Sequence, residues 1–170
     1  LRRYIHLQRL YGAGDIALAP QKEDQSRNLM VQAAHLIPSA PDGWFPTILN
    51  ESTALIRFAD ETTIEALPGT LTAARSDRIR FLLATEMAFW SDDAKQWTGL
   101  IGAFGSGMTT FAVIESTANG FGNTYSQMWE DKDNGYQHYF FSVWENPNHT
   151  PEWREQTIRD TRATASYAAQ

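Results

Sequence analysis

Residues 81–90 read Phe81-Leu82-Leu83-Ala84-Thr85-Glu86-Met87-Ala88-Phe89-Trp90. Four apolar residues run through Thr85 into one carboxylate, Glu86, the pattern of a buried strand that carries an acid to the rim of a sheet. Further on, Phe111-Ala112-Val113-Ile114 runs into Glu115-Ser116-Thr117-Ala118-Asn119-Gly120, a second apolar strand ending in small hydrogen-bonding side chains. Two strands with polar tips predict one shared site.

Working outward, the pattern alternates between strand and helix. Leu1 to Tyr11 carries an apolar face and is followed by Gly12 and Gly14, which predicts a helix and its end. Asp15 to Ala19 reads as a strand stopped by Pro20. Glu23 and Asp24 open a helix whose Leu29, Met30, Ala33, Leu36 and Ile37 repeat at helical spacing toward Pro38. The breaker-rich stretch from Pro38 to Asn50 predicts a loop. Residues 54–58 and 63–67 flank Ala59-Asp60-Glu61-Thr62 as a hairpin that Pro68-Gly69 closes. The strand at 79–85 is followed by a helix from Asp92 to about Phe104, a strand over 110–116, and a short helix marked by Tyr125, Met128 and Trp129. Residues 137–143 read as a last aromatic strand, and Pro151-Glu152 opens a terminal helix. This alternation predicts an α/β fold, a mainly parallel sheet flanked by helices, with ligands bound beyond the carboxyl ends of the strands.

With 42% hydrophobic and 20% charged residues, the 170-residue chain has a globular balance, and no apolar run approaches the ~18 residues of a membrane helix. Having no cysteine excludes disulfides and thiolate metal sites. The net charge of −6 argues against a free-standing nucleic-acid binder. A local patch within a larger machine remains compatible with it. Arg75, Arg78 and Arg80 lie close together but read as a solvated loop.

An apolar strand ending in a carboxylate suits nucleotide hydrolysis, where a general base must reach the water that attacks the terminal phosphate. A lone glutamate there reads first as a helix-start acid or a salt-bridge partner, and the polar tip of the second strand is what turns the reading toward a site. Ser116, Thr117 and Asn119 can sense a phosphate or orient a water, and they can equally satisfy local turn amides. Gly102 to Thr109 has the spacing of a phosphate-binding loop, but Met108 stands where the lysine belongs and the segment leads into a strand. It reads as a helix-ending turn. The four histidines show no ligand spacing, and the six tryptophans read as core or domain-contact residues.

In this order and spacing, three motifs resemble those of the large terminase subunit of tailed bacteriophages, the motor that packages viral DNA. Ile16-Ala17-Leu18-Ala19-Pro20 with Asp24-Gln25 is similar to the family's second core strand and the helix behind it. Leu82 to Trp90 is similar to its Walker B segment, and Glu115 to Gly122 with Tyr125 and Trp129 to its coupling motif. The resemblance spans nearly the whole chain. It implies a P-loop NTPase-like core of the class with an additional strand and a catalytic glutamate (ASCE), here lacking its first strand and P-loop. Residues 1–135 would be a partial ATPase domain and 136–170 the passage into a truncated nuclease domain.

The resemblance further implies ATP and Mg2+ as cofactors. Glu86 would activate the water, Ser116, Thr117 and Asn119 would belong to the nucleotide-coupling element, and Thr85 would stand where most relatives have the magnesium-shell aspartate. Thr85 would then act on the metal only indirectly. The implied partners are double-stranded DNA, the portal protein, the small terminase subunit and further copies in a ring. The implied setting is the cytoplasm of the infected bacterial host, docked transiently on the procapsid, with no membrane contact. No lysine-bearing Walker A loop occurs in the 170 residues, so the chain reads as an internal fragment, inactive as an ATPase by itself. Two other readings stay open at this point, another P-loop translocase of helicase type and a non-catalytic α/β binding or scaffold module.

Overall fold

The computed structural model describes residues 14–67, 79–104 and 110–168. The expected helix at 1–11, the Pro68-Gly69 turn, Arg75, Arg78 and the glycine turn at 105–109 lie outside them. The chain divides into two compact units, Leu1–Asn134 and Gly135–Gln170.

The first unit is an α/β layer structure. Its strands are β1 (Asp15–Ala19), β2 (Ile48–Glu51), β3 (Leu55–Phe58), β4 (Thr63–Ala66), β5 (Ile79–Thr85) and β6 (Phe111–Glu115), joined in one sheet of order β2-β3-β4-β1-β5-β6. β4, β1, β5 and β6 run parallel, and β2 and β3 extend the sheet as antiparallel strands. All five residues of β1 are buried, as a strand covered on both faces requires. Asp15 is buried too, and its Oδ1 accepts the Thr63 N–H at 3.0 Å, which offsets its loss of water and ties the start of β4 to β1.

Alternation along β5 divides the core. Phe81 and Leu83 join Ile16, Leu18, Met30 and Ile64 on the face that carries helix α1 (Glu23–Leu36). Leu82 and Ala84 join Ala17, Ala19, Trp97 and Leu100 on the opposite face, which carries helix α2 (Asp93–Gly102). The adjacent parallel strands β1 and β5 therefore send their carboxyl ends to helices on opposite faces. Such a reversal opens a crevice between the strand tips, where open α/β sheets place their ligands.

The breaker-rich loop at 38–50 contains one strand that its composition hides. Residues 48–51 become β2 because Ile48 pairs with Phe58 and Glu51 with Ile56, a stabilisation that comes from the β3 hairpin. Gly14, just before β1, is required by a close approach. A Cβ there would sit 2.3 Å from the Arg80 Cγ and 2.7 Å from its Cβ. Gly14→Ala is expected to destabilise the protein by about 1–3 kcal/mol, the usual cost of overpacking. A lower urea midpoint would register it, and an unchanged midpoint would mean that Arg80 moves aside freely.

A short helix α3 (Thr124–Glu130) completes the first unit, with Asn123 Oδ1 accepting the Ser126 N–H at 2.8 Å as its N-cap. In the second unit, residues 137–143 do not form the expected strand. They lie outside any sheet, with Tyr139, Phe140 and Phe141 exposed, and local turn bonds take the place of a ladder at their end, where Val143 opens a 3-10 turn (Val143–Glu145) and the Ser142 N–H donates to Glu145 Oε2 at 2.8 Å. Helix α4 (Pro151–Ala168) follows, with Thr150 Oγ1 accepting the Trp153 N–H at 3.2 Å and Pro151 in the first turn. Among the described residues, no helix is long and apolar enough to cross a membrane.

Candidate functional site

The site begins where β5 stops. Thr85 is its last residue, and Glu86 takes a left-handed backbone, φ 52° and ψ 39°. That region is uncommon for a residue with a Cβ, and residues held in such conformations gather at functional sites. The chain then turns through one 3-10 turn, Met87–Phe89, with Phe89 N–H donating to the Glu86 carbonyl at 3.0 Å. Met87 and Ala88 are buried. The Trp90 indole N–H returns to the Thr85 carbonyl at 3.1 Å and fixes the strand end against the turn. From the β1 side, Gln21 Nε2 donates to the Phe89 carbonyl at 3.0 Å, so the segment after β1 also holds this turn.

β6 delivers the second half. Its register pairs Thr85 with Glu115, which sets Glu115 beside the end of β5. Beyond it, Ser116 Oγ accepts the Ala88 N–H at 3.1 Å, and Asn119 Nδ2 donates to the Ala88 carbonyl at 2.9 Å. Thr117 Oγ1 lies 3.4 Å from Glu86 Oε2 as a long hydrogen-bond donor. The Tyr125 hydroxyl on α3 reaches the Ser116 carbonyl at 3.5 Å. Of the residues expected at the site, Glu86, Ser116, Thr117 and Asn119 are thus linked by hydrogen bonds through one turn, and Thr85 joins them through its carbonyl.

The electrostatics agree with this closeness. Glu115 is pushed above the ordinary glutamate value of 4.5, first by partial desolvation of its carboxyl and then by the charge of Glu86. Tyr125 is raised by burial and then by the charges of Glu115 and Glu86, against a lowering by its bond to Ser116. Asp93, at the start of α2, moves the other way. Burial alone would raise it, but the Thr124 and Ala94 N–H groups that its carboxylate accepts hold it below 3.8.

The two acids have opposite pH signatures. Asp93 takes up its proton less readily in the folded state, so its contribution is present above the ordinary aspartate range and is lost as pH falls through its lowered value. Glu115 is easier to protonate when folded, so its ionisation costs stability as pH rises from 4.5 through its raised value. Glu115→Gln is therefore expected to raise the urea midpoint at pH 7 relative to the parent and not at pH 4. The gain stays below about 1 kcal/mol because the side chain is exposed and water screens the pair. An equal effect at both pH values would refute the charge explanation.

No family model matches the chain, and no curated protein matches it. Among the described residues, no group of three His, Cys, Asp or Glu side chains is placed to hold a metal ion by itself. Thr85, Glu86 and Glu115 instead offer a hydroxyl and two carboxylates at one edge. Magnesium is often held by one or two carboxylates together with substrate phosphate oxygens, and this donor set fits that mode of binding.

Glu115 and Tyr125 were not singled out from the sequence as site residues in their own right. The signal for Glu115 was present, since aligning the run 81–84 with 111–114 sets Thr85 opposite Glu115. Nothing comparable marks Gln21, whose role is visible only in the fold.

Proposed function

We propose that this chain is the catalytic-acid and coupling portion of an ATP-driven DNA-packaging motor of the large-terminase type. The observation that carries the reading is the setting of Glu86, a carboxylate held in a left-handed turn at the carboxyl end of a central strand, beside the switch-point crevice and tied to the tip of the next strand. A general base for water attack on a terminal phosphate needs that placement.

In this reading Glu86 accepts the proton of the attacking water, and Thr117 orients the carboxylate through its hydroxyl. Magnesium, when bound, would supply positive charge against the phosphates. Glu115 would supply it a carboxylate, and the Thr85 hydroxyl would act through its water shell. Cradling the phosphates takes backbone amides and a lysine, and since the sequence has no lysine at phosphate-loop spacing, in this proposal a joined segment would supply that loop.

The first unit belongs, in this proposal, to a P-loop NTPase core of the ASCE class. The second forms the passage toward a nuclease domain. Double-stranded DNA, a portal protein, a small terminase subunit and further copies in a ring are the proposed partners, in the host cytoplasm at the procapsid. The test is magnesium-dependent ATP hydrolysis, stimulated by DNA, in a polypeptide that joins this chain to a phosphate loop. Absence of turnover there would count against the proposal.

A further inference from the structure

We infer that Ser116 and Asn119 are positioning residues that clamp the peptide groups of Ala88 and thereby hold Glu86 in its left-handed conformation. The inference rests on the proposed function only for what Glu86 does, not for how it is held.

Ala88 is 4% exposed, so water cannot serve its N–H and C=O. The 3-10 turn does not serve them either. Its own bonds run from the Phe89 N–H to the Glu86 carbonyl and from the Trp90 N–H to the Met87 carbonyl. Both polar groups of Ala88 are instead met by side chains of a single loop, the N–H by Ser116 Oγ and the carbonyl by Asn119 Nδ2. Removing either side chain leaves a buried peptide group unpaired, and the turn must open to recover a partner.

Glu86 is two residues away, at the hinge of that turn. A left-handed glutamate persists only where the surroundings over-determine it, and the clamp is the device that does so here. The clamp is itself anchored. Asn123, the N-cap of α3, donates from Nδ2 to the Asn119 carbonyl at 3.1 Å, so a continuous path runs from α3 through Asn119 and Ala88 to the acid.

One chemical consequence separates this from direct phosphate sensing. The Asn119 amide and the Ser116 oxygen are already engaged by the Ala88 peptide groups, and among these loop side chains Thr117 is the one directed at the carboxylate. A shift of α3 or of the loop at 116–120 is then felt at Glu86 as a change in aim, without any contact between that loop and the nucleotide.

The test reads the Glu86 backbone directly. NMR of the 170-residue protein should show at Glu86 the strong intraresidue amide–Hα NOE that a positive φ produces. Asn119→Asp, which keeps the shape but loses the donor, and Ser116→Ala should each weaken that NOE and shift the Glu86 and Ala88 amides. The β1 and β5 amides should stay in place. Thr98→Ala, which removes an exposed side-chain bond to the Ala94 carbonyl on α2, should leave Glu86 unchanged. In a polypeptide with a phosphate loop, the same two clamp variants should lower kcat at least tenfold and leave KM for ATP unchanged.

A Glu86 signature that survives both clamp variants in a folded protein overturns the inference. So does a loss confined to KM. Loss of the signature in a protein that turns over no ATP supports the clamp and overturns the nucleotide reading, so the two fail separately.

Discussion

Glu86→Gln is expected to lower kcat for ATP hydrolysis by about 10²–10⁴-fold, the usual contribution of a general base, in a polypeptide that supplies the phosphate loop. KM for ATP should change little. Glutamine has the size of glutamate and keeps an amide oxygen for the Thr117 hydroxyl, and the bonds that clamp the turn go to Ala88, so the backbone at residue 86 stays where it is. What the variant loses is a group able to take a proton from water. A defect in kcat alone marks an interaction made in the transition state, whereas a defect in KM alone would mark uniform binding. Glu115→Gln separates the two acids. As a carboxylate that would hold magnesium with the phosphates, its loss should raise the magnesium concentration needed for half-maximal turnover. If Glu86→Gln left kcat unchanged, Glu86 would be a structural acid and the chain a non-catalytic module.

Much of the framework behind these expectations is written in local patterns. β1 and β5 are legible because short apolar runs end at Pro20 and at Glu86, and α1 because Met30, Ala33 and Ile37 repeat on the face that meets the sheet. β2 is not legible. Ile48-Leu49-Asn50-Glu51 follows a proline-rich stretch, lacks a clear alternation, and becomes a strand only because β3 lies beside it. Residues 137–143 show the converse. Their aromatic residues have strand propensity, but a strand exists only with a ladder partner, and none of the described residues provides one.

The site divides the same way. An acid at a strand end announces itself, and so does a cluster of Ser, Thr and Asn. That the cluster would act on the backbone of Ala88 could not be read, because Ala88 carries no chemistry of its own and its unmet peptide groups arise only when the turn is buried. The left-handed backbone at Glu86 is hidden for a related reason. Local preference disfavours it, and tertiary contacts impose it.

The second large effect is expected at the strand that carries the acid. Leu82 is fully buried at the centre of β5, on the face shared with Met87, Trp97 and Leu100. Leu82→Ala should destabilise the protein by about 3–5 kcal/mol, the upper part of the range for such truncations. The upper part applies because its neighbours across both ladders, Ala17 on β1 and Ala112 on β6, are already alanines and cannot lean in to fill the space. Against a typical total of about 5–15 kcal/mol, such a loss lowers the thermal midpoint by roughly 10 °C for a chain of this length. Val113→Ala provides the comparison. Val113 is only half-buried on β6, which ends the sheet among the described residues, so its truncation should cost under about 1.5 kcal/mol. A Val113→Ala cost equal to that of Leu82→Ala would mean that a further layer or strand covers β6 in solution. Well below its melting range, Leu82→Ala should keep the Glu86 signature, because the clamp on Ala88 comes from the loop after β6, anchored by Asn123 at the start of α3, and not from the Leu82 side chain. Coincident loss of both would show that the left-handed turn depends on core packing, and would place the control of Glu86 in the sheet instead of the loop.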